Sequence, residues 1–317
     1  MSGSVIGIDI GGTNIRVGLV DENLHLIRKA TALTSNFQNA DEMFRHIKKM
    51  TEKVNETKGA SKIGLALPIP WHKETECIFD ATNIPCLEGL TIKKIESYFP
   101  EYEVYFENDV NVVAILESDH GASKEFKESM YITVSTGIGS GIIYNKEIVH
   151  GAHGYAGEIG SMIISDSKKN HSTLYDGTLE SLCSGYALEM ESKHLYDVDG
   201  TTQLLFEKYQ QGDKKAIEVI NVWVEHFSSA IASLIQTLDP SVFVVGGAVI
   251  YNNPWLIEKI IESAKQKVLE NLKDKVKIVL SVFGLDAGVI GAGYLALKNS
   301  KENDDHEKNE GVVNWSW

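Results

Sequence analysis

The amino-acid sequence predicts a two-domain α/β protein with a cleft between its halves, on three observations. Two glycine-rich turns, DIGGTN at 9–14 and STGIGSG at 135–141, each follow a short apolar strand, VIGI and MYITV. The elements after the first turn and after the second come in the same order, strands first and helices later. A chain of 317 residues also exceeds what one typical core holds, so it divides. Glycine suits a phosphate cradle because bare N–H groups must approach phosphate oxygens closely and the turn needs positive φ. A lone Gly-Gly turn is commonly an ordinary hairpin. Two of them, each with Thr or Ser beside the glycines, point to one nucleotide held by two similar half-molecules.

The elements follow in order. Residues 5–10, 15–20 and 24–30 read as a three-strand meander, with Asp21-Glu22-Asn23 as a turn. A helix is expected over 39–56, where Met43, Ile47, Met50 and Val54 share one face. A buried strand at 63–67 stops at Pro68; a helix over 90–98, a short strand at 104–106 and a helix beginning at 109–116 complete the half. The second half opens with strands at 130–134, 141–144 and 147–149, followed by helices at 179–195, 202–210 and 214–237. A strand at 242–245 runs into Gly246-Gly247, a helix at 254–269 precedes a strand at 276–280, and the small residues of 288–297 predict a closely packed helix. From 299 to 317 the chain is charged and poor in apolar residues until its final VVNWSW, the composition of a disordered terminus.

Charge and composition narrow the function. A formal net charge of −14 argues against a nucleic-acid surface. No apolar run approaches the ~20 residues of a membrane span, and the first strand begins at once, leaving no room for a signal peptide. Cys77, Cys86 and Cys183 make neither a CxxC pair nor a disulfide framework. The expectation is a cytoplasmic enzyme.

Five motifs in order, DIGGTNIRVGLV, ENDVNVVAILE, TGIGSGII, HGAHGYAGEIG and VVGGAVI, resemble those of the ROK family (repressors, open reading frames and sugar kinases), and the likeness spans 5–297. The resemblance implies a two-domain actin-like ATPase fold, a duplicated ribonuclease H-like unit with an interdomain cleft. It implies a small domain at 1–117, with a helix at about 287–298 packing back on it, and a large domain at 118–286. It also implies a homodimer and an ATP- and Mg²⁺-dependent transfer to the 6-hydroxyl of a hexose or hexosamine. Asp9, Gly11, Gly12, Thr13 and Asn14 then face the β- and γ-phosphates, and Thr136, Gly137, Gly139 and Ser140 the remaining ones, with Gly246 and Gly247 beside the nucleoside. Asp9, at a strand tip, is the carboxylate for Mg²⁺, reached through water; one Asp suffices because Mg²⁺ keeps most of its waters.

Phosphoryl transfer to a hydroxyl needs a base and otherwise mainly positioning. Asp109 matches the family's base, although an Asp between a strand and a helix also suits an N-cap. Asn83, Asn108, Asp109, Glu158 and Glu180 match the sugar-binding positions, where carboxylates and amides bridge adjacent hydroxyls. Taken alone, Asn83 reads as a turn residue and Glu180 as a helix charge. His153 suits the sugar or a structural role, and His150 with His153 has no third metal ligand near it.

The sequence departs from the family at one place. Many ROK proteins carry AGExGH followed by a cysteine-rich zinc loop; here Ser161 stands at the His position, and 166–178 has no cysteine and a lone His171. That set cannot build a tetrahedral zinc site, so no zinc is expected. The alternative reading, a sugar-sensing repressor without kinase activity, calls for a helix-turn-helix ahead of the first strand, where only residues 1–4 stand.

Overall fold

The computed structural model describes residues 3–72, 74–170 and 174–310, and forms two compact units. The first takes the described residues of 1–116, 150–155 and 286–317; the second takes 117–149 and 156–285. Segment 150–155, which the division at 117/118 assigned to the large domain, thus belongs with the first unit.

In the first unit β1 (Val5–Ile10), β2 (Asn14–Val20), β3 (Leu26–Leu33), β4 (Lys62–Leu67) and β5 (Glu103–Asn108) form one sheet in the order β3-β2-β1-β4-β5. The β1–β2 and β2–β3 pairs are antiparallel, the β1–β4 and β4–β5 pairs parallel. Helix α1 (Ala40–Val54) starts where the Asn39 side chain accepts from the Glu42 N–H, and buries Met43, Phe44, Ile47, Met50 and Val54. Short α2 (Ile92–Glu96) and then α3 (Asp109–His120) follow.

The second unit repeats this plan. Strands β6 (Ser129–Val134), β7 (Ile138–Tyr144), β8 (Glu147–Ile148), β9 (Val242–Gly246) and β10 (Ile278–Leu280) lie in the order β10-β9-β6-β7-β8. Here too the first three strands pair antiparallel and the last two join in parallel. The two sheets therefore share strand order and direction, which is the duplicated ribonuclease H-like arrangement. Its helices are α4 (Leu179–Cys183), α5 (Gly185–Tyr196), α6 (Thr202–Gln210), α7 (Lys214–Leu238), α8 (Ala248–Asn252) and α9 (Leu256–Lys265). The core gathers on α7, whose Trp223 and Phe227 rings stack at 5.1 Å.

Helix α10 (Ala287–Glu310) returns to the first sheet. It lies so close that a Cβ on Gly7 would stand 2.0 Å from the Val289 carbonyl oxygen, and one on Gly64 1.7 Å from that of Ala292. Only glycine in the strands, opposite small residues in the helix, permits that approach.

Several expected boundaries move for local reasons. The second turn is tighter than STGIGSG, because β7 begins at Ile138 and takes Gly139 and Ser140 into the ladder opposite Thr133 and Ile132. The helix expected over 179–195 breaks at Ser184, which caps α5 by accepting from the Ala187 N–H. Residues 90 and 91 are spent on pairing with 77 and 78, so α2 starts late. Helix α8 lies directly after Gly247, in a stretch to which the sequence reading assigns no element. Helix α10 runs on to Glu310, past the expected end at about 298, because extending a formed helix costs far less than starting one. The rest of the expected tail, including Trp315 and Trp317, lies outside the described residues, as does His171. Among the described residues, no helix is long and apolar enough to cross a membrane.

Candidate active site

In the first unit the β1–β2 turn is held from below. The Gly11 N–H donates to the Asn14 carbonyl at 2.9 Å, the Thr34 hydroxyl donates to the Gly11 carbonyl at 2.6 Å, and the Thr34 N–H to that of Thr13 at 3.0 Å. Gly11, expected to meet phosphate, thus spends its N–H closing the turn. Gly12 and Thr13 form the exposed tip. Asn83 packs beside that tip, with its Cβ 3.4 Å from where a Cβ on Gly12 would lie.

Asp9 ends β1 beneath the turn and is buried. Arg16 Nη1 donates to its Oδ2 at 3.1 Å, and Gly288 at the start of α10 crowds the same carboxylate. Burial raises the Asp9 pKa above its ordinary value; Arg16 works against that rise, and the Asp286 charge adds to it. Neither Arg16 nor Asp286 was singled out by sequence; on its own each is an ordinary surface charge, and only the fold brings it to β1.

At the end of β5, Asn108 Oδ1 accepts from the N–H groups of Val110 and Asn111 at 2.9 and 3.0 Å. Asn108 is therefore the cap of α3, and Asp109 is the first helical residue rather than the cap. The Asn108 amide also donates to the Ile69 carbonyl at 2.9 Å, which leaves one N–H of this expected sugar ligand for other partners.

In the second unit the other glycine turn docks on α5. The N–H groups of Gly185 and Tyr186 donate to the carbonyls of Ser135 and Thr136, and the Ser135 N–H closes onto Gly137. Glu180, expected at the sugar, reaches this turn: its Oε2 accepts from the Ile138 N–H at 2.6 Å and fills the space beside Gly137. Ser140 is buried, and its hydroxyl donates to the Gly157 carbonyl at 2.7 Å, so it secures the AGE turn. Gly157, at φ 95°, has no room for a Cβ against the Ser140 carbonyl. Glu158 follows with an exposed side chain whose carboxyl is nonetheless crowded by protein. Desolvation first, and then the Glu180 charge, raise its pKa.

Gly247, at φ 87°, lies against the Val134 backbone and allows β9 to turn sharply into α8. A cavity of about 660 Å³ opens there, lined by Thr136, Tyr186, Glu189, Gln203, Phe206 and Val249 among others. Its volume is that of a small-molecule site. The residues of α5 and α6 that line it escaped sequence reading because they look like ordinary amphipathic helix positions. The region without zinc ligands closes through its backbone: Ile164 N–H donates to Gly177, Leu179 N–H to Met162, and Gly177 N–H to Lys169.

Comparisons with known proteins agree over nearly the whole chain. A glucokinase from Halalkalibacterium halodurans is 28% identical over 96% of this chain and 98% of its own. An N-acetyl-D-glucosamine kinase from Mannheimia succiniciproducens is 28% identical, over 92% and 98%. Among solved structures, a ROK family glucokinase from Streptomyces griseus in complex with glucose and AMPPNP is 25% identical with a TM-score of 0.82, covering 93% of this chain and all of that one. The ROK family's sequence model matches residues 5–299, and the chain belongs to the ROK family.

Proposed function

We propose that this protein is an ATP-dependent sugar kinase acting on the 6-hydroxyl of a hexose or hexosamine. The relatives named glucokinase and N-acetyl-D-glucosamine kinase, and the structural relative solved with glucose and AMPPNP, support the reaction class. The observation that carries the reading is at the β5–α3 corner: Asn108 does the capping, so Asp109 is not needed for it.

In this mechanism Asp109 accepts the proton of the sugar hydroxyl as its oxygen attacks the γ-phosphorus and ADP departs with the bridging electron pair. The remaining N–H of Asn108, with Asn83, Glu158 and Glu180, orients the sugar through its hydroxyls. The tip amides at Gly12 and Thr13, and those at Thr136 and Gly137, hold phosphate oxygens, where exposed backbone donors cost nothing to reorganise. The cavity beside Gly247 receives the nucleoside. The carboxylate oxygens of Asp9 and its neighbour Asp286 are hard donors that suit a largely hydrated Mg²⁺, which when bound would offset phosphate charge.

A coupled ADP-release assay with Mg-ATP over glucose, N-acetylglucosamine, N-acetylmannosamine, allose and fructose tests the proposal. Turnover of at least one sugar is expected. Sugar binding without any turnover would favour a sensor instead.

A further inference from the structure

Glu107 is buried, and the mechanism above does not use it. Its Oε1 accepts from the Asn108 N–H at 2.8 Å and from the Asn111 amide at 3.0 Å, one residue before Asp109 and two after it. Its Oε2 lies 2.7 Å from His150 Nε2. One carboxylate thus grips the chain on both sides of Asp109 and ties it to segment 150–155. That segment is fixed at two further points: Gly154, at φ 82°, presses on the Trp71 backbone, and the Tyr155 hydroxyl donates to Asp80. His72 meets the His150 ring edge-on with centroids 6.3 Å apart, so among the described residues Glu107 and His72 are titratable groups facing His150.

A carboxylate this buried is costly unless its oxygens are satisfied, and a charged donor satisfies it best. We propose that Glu107 and His150 are positioning residues: together they clamp the β5–α3 corner and hold Asp109 where the sugar hydroxyl must deliver its proton. The proposal rests on Asp109 being the base. Glu107 also holds the His150 pKa above its ordinary 6.5 through their hydrogen bond. The charged form of the clamp is therefore complete below that value and is lost as pH rises through the raised pKa.

The full chain is assayed with Mg-ATP and with glucose and N-acetylglucosamine as probes. His150→Ala is expected to lower kcat about tenfold or more with the ATP KM within about twofold, as a misplaced group does. His150→Gln, which keeps a donor but does not titrate, recovers part of that loss and removes the alkaline fall in kcat; His72→Gln leaves that fall in place. Independently of turnover, hydrogen exchange at 108–111 is faster in His150→Ala than in wild type. If His150→Ala does not fold, the pH profile and exchange of His150→Gln decide. An alkaline limb that survives in His150→Gln, or unchanged exchange at 108–111 in His150→Ala, overturns the clamp. Asp109→Asn runs in parallel: wild-type kcat in that variant removes the base assignment itself, while the exchange data still report whether the clamp exists.

Discussion

Asn108 and Asp109 are residue types that cap a helix about equally well, and in the fold Asn108 accepts from the Val110 and Asn111 amides while Asp109 is the first residue of α3. That separation makes a sharp test. Asp109→Asn keeps the shape of the side chain but cannot accept a proton, so kcat at saturating sugar should fall by on the order of 10²-fold with little change in binding. A fall smaller than about threefold would remove Asp109 from the chemistry. Sequence alone brought out this residue only through the register of its motif, since nothing in Asn-Asp says which side chain will turn back to the amides. Glu180 shows the reverse. Its motif suggests a sugar ligand, yet its carboxylate sits on the Ile138 N–H, a contact between residues 42 positions apart that no local pattern reveals. Glu158 offers a second test. Crowding and the Glu180 charge raise its pKa, so its ionised form strains the folded state. The penalty is present above the raised pKa and vanishes as pH falls below the ordinary 4.5. Glu158→Gln should therefore raise the melting temperature of the sugar-free protein at pH 7, and the gain should shrink toward pH 4.5; an equal gain at both would refute the account.

At the scale of elements, the contact between α10 and the first sheet was legible as a run of small residues, but its partners were not. Gly7 and Gly64 lie in strands where any small residue would read the same, and only the 2.0 and 1.7 Å clearances explain them. Gly64→Ala forces backbone apart rather than a flexible side chain, and should destabilise by about 3 kcal/mol or more, at or above the upper end of ordinary overpacking. Denaturant melts would measure it; a loss below about 1 kcal/mol would show that α10 slides without penalty. The same helix bears on the C-terminus. Among its described side chains the last buried one is Ala296, so removing 299–317 should leave activity within a few-fold, whereas removing 287–317 should abolish folding of the first unit. The zinc question also belongs here. Ser161 and the cysteine-free stretch 166–178 supply no thiolate set for a tetrahedral site, so elemental analysis should find no stoichiometric zinc, and chelation should leave the melting temperature unchanged. About one zinc per chain would overturn that.

For the whole molecule, the order of strands and helices was readable from apolar runs and turn residues, and so was the repetition of one plan. Beyond the opening meander, which the structure shows as read, strand pairing was not, because the parallel partners lie far away in sequence; neither was the return of 150–155 to the first unit, which rests on contacts such as Gly154 against Trp71. One consequence of this layout concerns birth rather than function. The first unit opens the chain and α1 packs on its sheet early, yet the side that carries Gly7 and Gly64 is covered only when α10 arrives later in the chain. Residues 117–285 hold everything the second unit needs and can be complete while the earlier-made strands still wait. Vectorial synthesis therefore finishes the later half first. A nascent chain halted near residue 285 should expose the unprotected glycine grooves of β1 and β4 to proteases and chaperones, while its second unit already resists both.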